Sequence, residues 1–222
     1  MTWVKICGMT NLEDALVAVD AGADAVGFVF YEKSPRCVTV ETAREIVEKL
    51  SAKVDKIGVF VNESRERVAA ISDDVGLTAV QFHGDEYKNL EKYSVGGKQF
   101  FCLPIVEILQ EMRGRSGSFY GFPNFPKDTS VLLDSGTQEK RGGTGRTFAW
   151  GEARGFVAAL RRRYSVVIAG GLSSSNVAWA VEYLKPWGVD VVSGVEASPG
   201  KKDPEKVRAF VRAVREYDRK VG

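Results

Sequence analysis

The segment Lys5-Ile6-Cys7-Gly8-Met9-Thr10-Asn11-Leu12-Glu13-Asp14 reads as the end of a β-strand, a glycine turn and the start of a helix. Apolar, β-prone residues run into Cys7 and Gly8, and Asn11 is a residue type whose side chain caps a helix N-terminus. The thiol of Cys7 then stands at the C-terminal end of a strand, which is where α/β proteins carry their chemistry. A lone cysteine is more often a small core residue, so the rest of the chain has to decide between the two.

Outward from this segment, short β-rich runs alternate with helical spacing over the whole chain. The runs Trp3 to Cys7, Ala25 to Phe30, Lys56 to Val61, Ala79 to Phe82, Gln99 to Leu103, Ser130 to Asp134, Val166 to Ala169 and Val189 to Ser193 read as strands. Most are continuously apolar, as parallel strands covered on both faces are. Helical patterns cover Leu12 to Ala21, Glu41 to Leu50, Arg65 to Val75, Glu86 to Tyr93, Trp150 to Arg163, Ser175 to Leu184 and Pro204 to Tyr217, with Gly22 and Gly76 as stops and Asp203-Pro204 as a start. Strict alternation through eight rounds predicts an α/β fold, a (β/α)8 TIM barrel, in one domain over residues 1–222. The fifth unit is expected to be irregular. Its helix, Glu107 to Met112, is short, and Gly114, Gly117, Gly121, Pro123 and Pro126 break the chain after it.

Composition narrows the function. Hydrophobic residues make up 44% and charged residues 27% of the 222, ordinary values for a globular protein. A formal net charge of +2 is too small to point to nucleic acid. The run Arg161-Arg162-Arg163 ends a helix, where cations complement the dipole. No apolar run reaches a membrane span, and the first residues lack the pattern of a secretory leader, so no membrane partner and a cytoplasmic location are expected. Cys7, Cys37 and Cys102 are odd in number and widely spaced, which fits free thiols and no zinc pattern. With His83 as the only histidine, no multi-histidine metal site is possible, although carboxylates alone could hold magnesium.

In a barrel the residues at the strand ends converge. They are Cys7, Arg36 in the second loop, Asn62, His83, Asp134, the pair Gly170-Gly171, and Ser193-Gly194. The glycine turns after strands seven and eight sit where barrels commonly bind phosphate through backbone amides. The loop Arg141-Gly142-Gly143-Thr144-Gly145-Arg146-Thr147 offers further amides for the same anion. Gly143, Gly145, Gly170, Gly171, Ser193 and Gly194 are thus candidate phosphate contacts. Asp134 emerges from the apolar run Val131-Leu132-Leu133 and can serve as a general acid, or it can cap the turn at Ser135-Gly136. Cys7 can serve as a base if its thiol ionises. Lys5, two residues earlier on the same strand face, supplies a cation for that.

At this point the chain resembles the phosphoribosylanthranilate isomerase family of tryptophan biosynthesis. The resemblance rests on Val4 to Thr10, Gly22 to Phe30, Gly58 to Asn62, Val80 to Gly84, Leu133-Asp134, Gly142 to Phe148, Ala169 to Leu172 and Asp190 to Glu196. It implies an Amadori rearrangement of a small phosphorylated aminosugar without metal or cofactor. It further implies that Cys7 matches the family's general base, Asp134 its general acid, and Arg36 the arginine for the anthranilate carboxylate. Lys5, Gln81 and His83 are expected to line the mouth and touch substrate, and the chain is expected to be a monomer or homodimer. Two stretches depart from the family: Cys37 beside Arg36, where a bulkier residue is expected, and Ile105 to Asp128. The related sugar isomerase of histidine biosynthesis typically uses two aspartates, so a cysteine on strand one speaks against it. An inert scaffold would need neither Cys7 nor Asp134.

Overall fold

Period-two alternation along each strand sends one set of side chains inward and the other outward, and two separate cores result. In a computed structural model, which describes residues 1–84, 98–113, 125, 129–136 and 147–222, eight parallel strands form a closed barrel in chain order. They are β1 (Trp3–Cys7), β2 (Ala25–Val29), β3 (Asp55–Phe60), β4 (Ala79–Phe82), β5 (Lys98–Pro104), β6 (Ser130–Asp134), β7 (Ser165–Ile168) and β8 (Gly188–Val191). β8 returns to β1 with Lys5 opposite Asp190. The described helices are α1 (Leu12–Asp20), α2 (Val40–Val47), α3 (Arg65–Val75), α4 (Ile105–Arg113), α5 (Trp150–Leu160), α6 (Val177–Leu184) and α7 (Pro204–Val221). Among the described residues, no helix is long and apolar enough to cross a membrane. The expected helix Glu86 to Tyr93, and the expected loop after α4 apart from Phe125, lie outside the described residues.

Helix starts follow side-chain chemistry. Asn11 Oδ1 accepts from the Asp14 amide at 2.9 Å, and Asp203 Oδ1 accepts from the amides of Glu205 and Lys206. Such a cap stabilises a helix by about 1 kcal/mol. α3 stops at Gly76, whose φ of 75° carries the chain out of the helix.

The outer core, between sheet and helices, joins Val4, Ile6, Val26 and Phe28 to Val207, Phe210 and Val211 of α7. The inner core fills the barrel with Trp3, Ala25, Ile57, Ala79, Phe100, Cys102, Leu132, Val167 and Ala169. Trp3 closes its lower end, stacked on Phe100 at 5.4 Å and on Trp187 at 4.9 Å. One layer up, the same inward faces carry Lys5, Gln81, Asp134 and Asp190, all buried. The polar layer at the C-terminal mouth is therefore built by the parity that builds the apolar floor.

Two findings depart from or refine the expected elements. Strand eight ends at Val191, and Ser193–Val195 form a short 3-10 turn. That turn is followed by a hairpin, β9 (Glu196–Ser198) against β10 (Lys201–Lys202), which the chain's short polar runs did not announce.

Space for the inward Lys5 and Cys7 comes from β2, where Gly27 lies opposite Cys7. A Cβ at Gly27 would stand 2.5 Å from Cys7 Sγ and 3.0 Å from Lys5 Cε. Gly27→Ala is expected to lower stability by about 1–3 kcal/mol through overpacking. Urea unfolding measures this, and an unchanged midpoint would show that the barrel interior has slack at this level.

Candidate active site

Lys5 is fully buried and organises one side of the mouth. Its Nζ donates to Gln81 Oε1 at 2.8 Å and lies 3.2 Å from Asp190 Oδ2. Burial alone pulls the ammonium down, but the charges of Asp190 and Cys7 outweigh it and hold Lys5 above its ordinary value. Burial pushes the Asp190 carboxyl up, with Lys5 opposing. Burial also pushes the Cys7 thiol up, and the Lys5 ammonium, hydrogen-bonded to it, pulls the other way. Cys7 at rest is a thiol beside a cation poised to accept the charge of its thiolate.

Across the mouth, Asp134 ends β6 with Oδ1 accepting from the Gly136 amide at 2.7 Å. This is the turn-capping contact foreseen for it, and it leaves Oδ2 facing His83, whose Nε2 is 3.9 Å away. His83 Nε2 also lies 3.6 Å from Cys102 Sγ, and its Nδ1 lies 3.1 Å from Gln81 Nε2. Gln81 is only 1% exposed and bridges Lys5 to His83, so it sits beneath the mouth surface.

Asp134 and Asp190 line one cavity with Ala169 to Leu172 and Val191 to Gly194. Gly170 and Gly171 have φ of 82° and 64°, a conformation that turns successive amides to one side and that side chains rarely adopt. A Cβ at Gly170 would collide with Ser135, and one at Gly194 would collide with the Leu172 carbonyl. The two turns are therefore pressed against each other and against the end of β6. Asn176 holds the first of them, donating to the Gly171 carbonyl at 3.0 Å. Gly143 and Gly145 lie outside the described residues.

Arg36 arrives from the second loop, and its guanidinium is already engaged. Nε and Nη2 donate to Glu196 Oε1 and Oε2 at 2.8 and 2.7 Å. Lys202, fully buried, donates to Glu196 Oε1 at 3.3 Å and to the Val192 carbonyl at 3.2 Å. The β9–β10 hairpin exists to bring these two residues together, and the Nη1 edge of Arg36 still offers parallel donors. Burial pushes the Glu196 carboxyl up, yet the Arg36 hydrogen bonds and the charges of Lys202 and Arg36 outweigh it, holding Glu196 below its ordinary value.

The structure thus gathers Lys5, Cys7, Gln81, His83, Asp134, Gly170, Gly171, Ser193 and Gly194 at one end of the barrel, with Arg36 tied to the same rim through Glu196. Asp190, Glu196, Lys202 and Cys102 were not singled out from the sequence. Strand parity would have found Asp190 and Cys102, which face inward on β8 and β5 as Lys5 and Gln81 do on β1 and β4.

A barrel with a thiol, two carboxylates and two glycine turns at its C-terminal mouth is an enzyme scaffold for a small anionic substrate. Residues 4–213 match the family model of N-(5'-phosphoribosyl)anthranilate (PRA) isomerase. The chain is 45% identical over 217 residues to the N-(5'-phosphoribosyl)anthranilate isomerase of Pelobacter propionicus, covering 97% of each. The crystal structure of phosphoribosyl anthranilate isomerase from Thermotoga maritima superposes with a TM-score of 0.79 at 40% identity, covering 97% of this chain and all 100% of that one. A phosphoribosyl anthranilate isomerase in complex with reduced 1-(o-carboxyphenylamino)-1-deoxyribulose 5-phosphate gives 0.77 at 37% identity, with 97% and 100% covered. The chain belongs to the N-(5'-phosphoribosyl)anthranilate isomerase family, enzymes of tryptophan biosynthesis.

Glu196→Gln removes the carboxylate that Arg36 and the buried Lys202 share, and is expected to cost about 3–5 kcal/mol at neutral pH. Because the native carboxyl lies below its ordinary 4.5, its contribution is complete above that pH and disappears as pH falls through the depressed native value. Urea unfolding of both proteins across pH is expected to show the gap closing below pH 4.5. A gap independent of pH would contradict the ion-pair reading.

Proposed function

We propose that the chain isomerises N-(5'-phosphoribosyl)anthranilate to 1-(2-carboxyphenylamino)-1-deoxyribulose 5-phosphate, with Asp134 as general acid and Cys7 as general base. The observation that carries this reading is the cavity in which Asp134 and Asp190 share walls with the turns Gly170-Gly171 and Ser193-Gly194. An acid, a second carboxylate and an anion seat then border one hollow, with Lys5 linking Asp190 to Cys7.

The chemistry needs one proton given and one taken. Asp134 gives its proton to the furanose ring oxygen, and the bond from that oxygen to C1′ breaks as the nitrogen lone pair forms the C=N bond of an iminium. The iminium acidifies the proton on C2′. Cys7 thiolate takes it, and the electron pair closes a C1′–C2′ double bond to give an enolamine. Tautomerisation then moves the C2′ hydroxyl proton out and adds one at C1′, leaving the ketone. The thiolate, formed when the Cys7 thiol loses its proton to solvent, stands beside the Lys5 ammonium, an existing counter-ion for its charge.

Binding falls to the surroundings. The amides of the two glycine turns take the phosphate, as turn amides at this end of a barrel do. The Nη1 edge of Arg36 suits a carboxylate, with Glu196 bracing the opposite edge. Asp190 Oδ1 is buried behind the cavity wall and has no hydrogen-bond partner among the described residues. The complex of a relative with the reduced product analogue supports a ligand of this shape.

Cys7→Ala and Asp134→Asn are each expected to lower kcat about 10²–10⁴-fold with substrate still bound, the range for loss of a general acid or base. The assay uses freshly generated phosphoribosylanthranilate, with the aminoaldose of the histidine pathway as competitor. Near-normal turnover by Cys7→Ala would reject the base assignment, and no turnover by folded wild-type protein would reject the reaction.

A further inference from the structure

The cluster His83, Cys102 and Asp134 invites a metal. One ligand atom from each lies within 4.8 Å of the others, and such a set can close around a divalent cation. What decides the matter is the direction of the hydrogen bonds behind His83.

Lys5 Nζ has hydrogens and no lone pair, so the group 2.8 Å from it must accept, and Gln81 therefore turns its oxygen toward Lys5. The Gln81 amide nitrogen then faces His83 Nδ1 at 3.1 Å. An amide nitrogen offers only hydrogens, so Nδ1 must be the acceptor, and the proton of the neutral imidazole sits on Nε2. Gln81 is 1% exposed, and turning its amide over would set NH₂ against the buried ammonium. The polarity of the row is fixed at its Lys5 end.

We infer that Gln81 is a positioning residue that locks His83 as the Nε2–H tautomer, so that the imidazole presents a hydrogen rather than a lone pair to Asp134 and Cys102. A metal-bound histidine needs the opposite wiring, with Nε2 unprotonated and Nδ1–H donating to an acceptor. The cluster is therefore arranged around a proton and not around a cation. Its use follows from the reading of Asp134 as the acid, on which this inference rests. Once Asp134 has given up its proton, Oδ2 carries negative charge 3.9 Å from His83 Nε2. An N–H there stabilises that charge, whereas a lone pair would repel it. The benefit arises after proton transfer begins, so it belongs to kcat and not to substrate affinity.

His83 is the only histidine of the chain, so its ring nitrogens are read without overlap in protein labelled with ¹⁵N-histidine. Wild-type protein is expected to show Nε2 protonated and Nδ1 unprotonated, and added Zn²⁺ is expected to leave both resonances in place. Gln81→Met, which fills the space without a donor, is expected to lose the single tautomer and to lower kcat on the order of tenfold with KM unchanged. Placed in a His83→Ala background, the same substitution is expected to cost less, because the part of its effect that runs through His83 is gone and only the lost acceptor of Lys5 remains. A wild-type Nδ1–H tautomer, a zinc-dependent shift of either nitrogen, or an additive loss in the double variant would each overturn the inference. The wild-type spectrum and zinc titration decide it even if Gln81→Met does not fold. They also do not depend on turnover, so a wrong tautomer and a wrong reaction are told apart.

Discussion

An ammonium group at the centre of an apolar barrel is the constraint on which the rest of this site depends. Lys5 is fully buried, and an unpaired buried charge costs several kcal/mol. The cost is met by three neighbours on inward strand faces: Asp190 across the β1–β8 pair, Gln81 from β4, and the Cys7 thiol one layer above. Each acquires a consequence. Cys7 gains a counter-ion for its thiolate, Asp190 keeps one buried oxygen without a hydrogen-bond partner among the described residues, and Gln81 is oriented so that His83 and then Asp134 inherit a fixed hydrogen-bond direction. Gly27 completes the arrangement by being too small to compete for the same volume.

A second charged unit repeats the logic at the rim. Arg36 is held on two donors by Glu196, which is backed by the buried Lys202, and all three depend on a hairpin whose β10 strand has two residues. The Lys202 amide in turn donates to Asp14 in the first turn of α1, so the end of the barrel is sewn to its beginning. One carboxylate is thus shared between two basic side chains at the rim.

Much of this was legible before the structure. The eight strands follow from apolar runs and glycine stops, and Lys5 read as inward because it lies two residues from Cys7. The ends of β1, β4 and β6 agree with the sequence reading to the residue, since apolar strands bounded by polar turns leave little choice of register. Asp190 was passed over because it read only as part of the strand Val189 to Ser193, although its register opposite Lys5 gives it a role. Glu196 and Lys202 were hidden for another reason. Their partnership depends on a hairpin too short and polar to carry a strand signal. Gln81 was expected at the mouth, and its contacts with Lys5 and His83 depend on three-dimensional neighbours that periodicity cannot supply.

Titration of the Cys7 thiolate by its ultraviolet absorbance, with Cys7→Ala subtracted, tests whether the Lys5 ammonium sustains it. In wild-type protein the midpoint is expected above the ordinary 9.0, because burial outweighs the cation. In Lys5→Met the Asp190 carboxyl, already pushed up by burial, takes a proton and leaves no stray charge. The Cys7 midpoint then moves higher still. An unchanged or lower midpoint in Lys5→Met would contradict the account.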